Sequence, residues 1–235
     1  MEHPIFFLDQ LVGLLGLDFI RHYLYGQFHT PHVLYTWLVM LVLIGLLGLG
    51  ARGVSMIPTK GQNFIEIMIG GMEEFVVDVA GEEGRRFFPI LATVFLYILV
   101  CNLFGLIPGF YPPTGTVNTT LSCALVVVPM THIIGVMYHG PKYIKHFMGP
   151  IWWMSPIILP IEMIGHLARV LSLSIRLFGN IAGHELVVGI LFMLAGMFFA
   201  PLPIMALGIF VSVVQAFVFF LLSTMYFAGA MEHAH

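Results

Sequence analysis

The chain alternates long apolar runs with short polar connectors, and the lengths of those runs set its architecture. Residues 33–51 are 19 nearly uncharged positions, enough as a helix of about 1.5 Å rise per residue to cross a hydrocarbon core of about 30 Å. Residues 87–107 and 121–137 read as two further crossings. The run 157–199 differs in size: its 43 residues are interrupted only by Pro160 and isolated glycines, and as one helix it would be about 60 Å long, twice the thickness of the core. Unbroken apolar patterning predicts a single helix inclined well beyond the usual tilt of about 20°, rather than two upright crossings. A turn at 200–203 leads into the last apolar run, 204–228. The expected fold is an all-α membrane protein of about five transmembrane helices in a single polytopic domain, residues 1–235, the last two helices forming a long tilted hairpin.

Residues 61–80 have a different pattern. Phe64, Met68, Met72, Phe75, Val76 and Val79 share one helical stripe, with Glu66, Glu73, Glu74 and Asp78 on the other side, the signature of an amphipathic surface helix. Surface helices held by anionic lipid carry a basic polar face. This one is acidic, which favours docking on protein or a solvated charged face. The first 32 residues have no basic leader, and Asp9 interrupts their apolar stretch, so they read as an external interfacial arm rather than a cleaved signal peptide.

Composition agrees with a membrane chain: 59% hydrophobic, 9% charged and a mean hydropathy of +0.98 exclude an ordinary soluble domain. A net charge of −3 with scattered basic residues gives no reason to expect nucleic acid. The distribution of cations is more informative. Arg52, Lys60, Arg85, Arg86, Lys142 and Lys145 all fall in loops on one side of the predicted crossings, which makes that side cytoplasmic, with the N-terminus external and the C-terminal MEHAH inside. Cys101 and Cys123 have neither the spacing nor the partners of a metal or disulfide site and read as packing thiols.

Against this apolar background, ionisable groups within the spans mark function. An Arg at the centre of a membrane helix costs about 2.5–3.5 kcal/mol on insertion scales and normally faces a bundle interior, a wet cavity or an ion path. Glu162, Arg169 and Arg176 are seven apart and drift only about 20° per step, so they line one stripe, with Ser172 and Asn180 a turn from Arg176 on the same face. Arg176 is the central candidate. Arg169 admits an ion pair with Glu162 or Glu185 as readily as a functional role. Glu185, nine residues past Arg176, lies near the opposite side of the helix and would line a second surface.

Competing site chemistries fail on spacing. His184-Glu185 opens like the metalloprotease motif H-E-x-x-H, but Val188 stands where the second His is needed. His132, His139 and His146 share a heptad spacing, yet Gly140 and Pro141 break the helix between them, leaving interface and loop histidines rather than haem ligands. No cofactor or metal is expected. A self-contained transporter remains the alternative class, although the internal repeats and half-helices common in such proteins are missing from the pattern. No G-x-x-x-x-G-K-[ST] occurs, so any nucleotide chemistry belongs to other chains.

SLSIRLFGN followed by GHELVVGIL, with Gln215 in the last helix and an N-x-T-L-S element at 118–122, resembles subunit a of the bacterial F-type ATP synthases from the first span to the end of the chain. The resemblance implies a non-catalytic, ion-translocating stator subunit of the bacterial inner membrane. Its partners would be the c-subunit ring, the b subunits of the peripheral stalk, the rest of the ATP synthase complex, protons and the lipid bilayer. It implies that Arg176 faces the ring carboxylate with Asn180 and Gln215 beside it, that Glu185 serves an external half-channel and that Glu162 stands near the cytoplasmic exit. Asn102 and Ser122 are looser matches on the external path. Two positions depart from the family pattern: Gly208, where some members carry a His or Glu partner for the half-channel acid, and Gly105, where some carry an acid. His184 is a possible substitute for the missing partner. The coupling ion, H⁺ or Na⁺, would be set largely at the ring site on another chain.

Overall fold

The computed structural model describes residues 32–52, 60–107, 110–140, 143, 155–195 and 201–232. Residues 1–31 of the expected N-terminal arm, position 200 and the lysines at 142 and 145 lie outside these, while positions 201–203, expected as a turn, open the last helix, which begins at Pro201. The described residues form six α-helices: α1 His32–Arg52, α2 Lys60–Ala80, α3 Phe88–Phe104, α4 Val117–His139, α5 Ser155–Ala195 and α6 Pro201–Met231. No strand occurs among them. Four segments are long and apolar enough to span a membrane: Glu82–Phe104, Val117–His139, Ile158–Leu194 and Leu202–Met231. In α1 the apolar stretch is shorter, Val33–Gly48. The chain is thus an all-α, multi-pass membrane protein.

α5 is one helix of 41 residues, about 60 Å long. Ser155 and Pro156 open it, with a proline where its missing N–H costs nothing. Pro160 also falls near the start, and the about ten turns of mostly apolar sequence that follow carry the helix onward. α6 adds 31 residues. Helices of this kind suit lipid because every backbone polar group is paired within the segment.

Contacts cluster the chain into two compact units, and α5 contributes to both, its division falling between Arg176 and Leu177. The first unit draws on Met1–Ser55, Leu96–Thr119 and Leu177–Ala216. Its core holds Tyr35 and Val39 of α1, Ile98 and Cys101 of α3, and Leu177 and Ile181 of α5. Phe110 stacks edge-on against both Tyr35 and Phe104, each at 5.7 Å between centroids, which ties the connector after α3 to α1.

The second unit draws on Met56–Phe95, Thr120–Arg176 and Phe217–His235. Here α2 docks on protein: Val76 is fully buried, and Phe75 sits 5.7 and 5.9 Å from the rings of Phe217 and Phe220. Its acids stay wet, with Glu73 accepting an ion pair from Arg85 at 2.9 Å. Gly81, at φ 74, turns the chain from α2 into the 3-10 turn Glu82–Phe87, a left-handed conformation that favours glycine. Phe95 packs on Phe220 and Phe87 on Phe227, and Thr120 on α4 shares a hydrogen bond with Ser174 on α5 at 3.0 Å.

Candidate functional site

In the first unit, α3, α5, α6 and the connector before α4 converge on a small cavity whose lining is mostly apolar with a few polar side chains among it. Asn102, His184, Glu185, Gly208 and Ser212 line it together with Pro112 and Ile181, and it has a volume of about 10 Å³, room for about one water. Asn102 is buried and held at both ends of its amide. Its Oδ1 accepts from Thr114 Oγ1 at 2.8 Å, and its Nδ2 points at the Ser212 carbonyl at 3.4 Å. Buried amides are satisfied in this way because an unpaired polar group costs about 1–3 kcal/mol.

Both glycines that depart from the family pattern have a steric reason here. A Cβ at Gly208 would overlap the His184 imidazole and the tip of Leu106, and one at Gly105 would overlap Pro112. A Cβ at Gly115 would stand 3.3 Å from the Glu185 carboxylate, so that glycine lets the connector approach the acid closely. Tyr111 lies outside the spans, and burial, reinforced by the negative charge of Glu185, holds its phenol above the usual range. It therefore stays protonated at neutral pH, a ready donor.

Sequence reasoning singled out neither Tyr111 nor Thr114. The available signal was a pair of hydroxyls in a Gly/Pro-rich connector free of Lys and Arg. Ser122, expected on this path, is exposed, belongs to the second unit and does not line the cavity. Thr114 is fully buried.

Gln215, expected beside Arg176 together with Asn180, is outside the cavity lining. It is buried and its Oε1 accepts a hydrogen bond from Asn180 Nδ2, which joins α5 to α6 one turn beyond Arg176. Arg176 is exposed. Its Nη2 donates to Ser172 Oγ at 3.4 Å, and no carboxylate among the described residues lies within ion-pair distance of it. Its neighbours Leu171 and Ile175 are exposed apolar residues, 45% and 59% accessible, so the guanidinium stands on an apolar surface that the described chain leaves uncovered.

Arg169 takes neither of the expected carboxylates. Its guanidinium carbon lies 5.4 Å from the ring centroid of Tyr226 on α6, a cation–π contact worth about 0.5–1 kcal/mol where exposed. Glu162 instead faces His166, with Oε1 3.4 Å from Nε2. His166 in turn meets His132 of α4, their centroids 4.4 Å apart. Among the described residues no group of three or more His, Cys, Asp and Glu side chains could hold a metal ion.

Long apolar helices, an arginine with no ion-pair partner among the described residues and a small cavity lined in part by a carboxylate and an imidazole are features of an ion-conducting membrane protein. The ATP synthase A chain family model matches residues 33–228, a range that includes all of these groups. The chain is 63% identical to ATP synthase subunit a of Desulfosudis oleivorans, 57% to that of Syntrophobacter fumaroxidans and 54% to that of Desulfotalea psychrophila, each over 100% of both chains. The chain belongs to the ATP synthase subunit a family, as a proton-translocating channel subunit whose partner is the ATP synthase complex. That membership does not favour a self-contained transporter.

Proposed function

We propose that Arg176 couples proton flow to rotation by engaging a carboxylate on the c-subunit ring, while two access paths bring protons to and from that carboxylate. The observation that carries this reading is the position of Arg176: an exposed guanidinium on an apolar helix face, with no ion-pair partner among the described residues. A charge kept there at a cost of about 2.5–3.5 kcal/mol calls for an anion on a neighbouring chain.

A ring carboxylate crosses lipid only when neutral. Beside Arg176 the ionised form is favoured, so the carboxylate releases its proton to one path and is reprotonated from the other. The same fixed charge repels protons and prevents them from passing directly between the paths. Asn180 and Gln215, locked to each other, hold α5 against α6 at this level and keep Arg176 in place. Glu185, with His184, Asn102 and Tyr111, serves the external path, and Glu162 the cytoplasmic one. Each charge moved across 100 mV yields about 2.3 kcal/mol, so several must be coupled to make one ATP.

The chain itself is non-catalytic and acts as one polytopic domain in the bacterial inner membrane. Its N-terminus is external, its C-terminus cytoplasmic, and α5 and α6 lie steeply tilted against the ring. The b subunits of the peripheral stalk hold it static. The test is Arg176→Ala in the complete complex, reconstituted in vesicles under an imposed proton gradient. ATP synthesis is expected to vanish while passive proton leak persists or rises; normal synthesis overturns the reading.

A further inference from the structure

In the second unit a line of titratable side chains, His166, His132 and Tyr143, that the assignments above leave unused leads away from Glu162. Glu162 and His166 lie one turn apart on α5, with Oε1 and Nε2 at 3.4 Å. The His166 ring packs edge-on against that of His132, with 4.4 Å between centroids and 72° between planes. His132 Nδ1 is 2.9 Å from the Tyr143 hydroxyl, and Tyr143 stands just past the C-terminal end of α4. The Tyr143 ring is fitted closely: a Cβ at Gly135 would overlap it. The side chain of His166 is 14% accessible against 36% for Glu162, so the histidine is an enclosed step between a wetter carboxylate and the loop.

We propose that His166, His132 and Tyr143 form a proton relay linking Glu162 to the water at the end of α4. The inference rests on the reading of Glu162 as part of the cytoplasmic path. Chemically, an imidazole accepts a proton on one ring nitrogen and releases one from the other, returning to its neutral form, and its affinity near neutrality makes both half-steps accessible. The phenol passes a proton by accepting on its oxygen as it donates its own hydrogen. Only N–H and O–H bonds form and break, one for one: the Glu162–His166 and His132–Tyr143 hops span hydrogen-bond distance, and the packed His166 and His132 rings exchange through a single bridging water.

Burial holds the Tyr143 phenol above its usual range, with Arg169 opposing the shift and Glu162 adding to it. The phenol therefore does not become a trapped anion at neutral pH. The groups facing the relay are Glu162 and Arg169 from α5, His139 from α4, whose Nε2 is 3.2 Å from the Ala230 carbonyl of α6, and Tyr226 of α6, which Arg169 covers.

The experiment is ATP-driven pumping by the whole complex in inverted membrane vesicles, which draw protons from the cytoplasmic face now turned outward. The signal is read as membrane potential so that a permeant base does not collapse it. His166→Ala and His132→Ala are each expected to slow pumping several-fold, and imidazole in the outer buffer to restore much of the loss. Tyr143→Phe, which keeps the ring against Gly135, is expected to slow it as well, and the decline of pumping with rising outer pH to be displaced in the histidine variants.

Two results overturn the relay: variants that pump at the normal rate, or slowed variants that ignore imidazole and keep the normal pH profile, as a purely structural role would give. Arg176→Ala in the same membranes separates this test from the parent reading. If that variant pumps normally the coupling assignment fails, whereas if it is inactive while the histidine variants are normal only the relay fails.

Discussion

His184 on α5 fills the space that a side chain at position 208 of α6 would need: a Cβ built there overlaps the imidazole ring. The absence of a side chain at 208 and the position of the His184 ring are therefore sterically linked. The cavity receives its imidazole from the opposite helix, and Gly208 is the condition for it.

Gly208→Ala should for that reason impair function. The methyl group must displace the His184 ring or strain the helix pair, an overpacking cost of about 1–3 kcal/mol. ATP synthesis by reconstituted complex is expected to fall several-fold, and the double variant His184→Gly with Gly208→His to recover more activity than either single change. A fully active Gly208→Ala would show that the close fit of ring and glycine is immaterial.

Glu185→Gln removes the ionisable group of the cavity while preserving its shape. Positioned proton-transfer groups typically contribute about 10²–10⁴-fold, so proton-driven ATP synthesis is expected to drop at least about tenfold in a complex that still assembles. Rates equal to the parent complex would reassign Glu185 to packing.

Arg176→Lys keeps the charge but replaces a planar, always-charged fork with a compact ammonium on a flexible stem, which also shifts its pKa more readily when desolvated. Coupled synthesis and ATP-driven pumping should both fall close to zero. Retention of more than about half the activity would mean that a point charge suffices in place of the planar guanidinium fork.

Membrane orientation is open to labelling with an impermeant thiol reagent in a background lacking Cys101 and Cys123. Asn118, exposed at the start of α4, is the better external site because Thr114 is buried. Asn118→Cys should react in intact cells, and Glu74→Cys, exposed on α2, only after the membrane is opened. The reverse pattern would invert the topology.

Much of this protein could be read along the chain. Helices in lipid must satisfy their own backbone, so apolar run length alone determined that α5 is one helix, 155–195 in the structure against an expectation of 157–199. The stripe of Glu162, Arg169 and Arg176 followed from the 3.6-residue period, as did the opposite facing of Glu185. The acidic face of α2 favoured docking on protein or a solvated charged face, and in the structure its apolar stripe packs on α6.

Partner choice was decided only by tertiary structure. Periodicity assigns a face and says nothing of what stands across from it. Arg169 therefore found the Tyr226 ring rather than a carboxylate, Gln215 found Asn180 on the facing helix, and Ser122 does not line the cavity of Glu185. The roles of Tyr111, Thr114, His166 and Gly208 likewise depend on neighbours distant in sequence. Burial and hydrogen-bond geometry across helices select among the polar groups that composition makes available, and that selection is a property of packing.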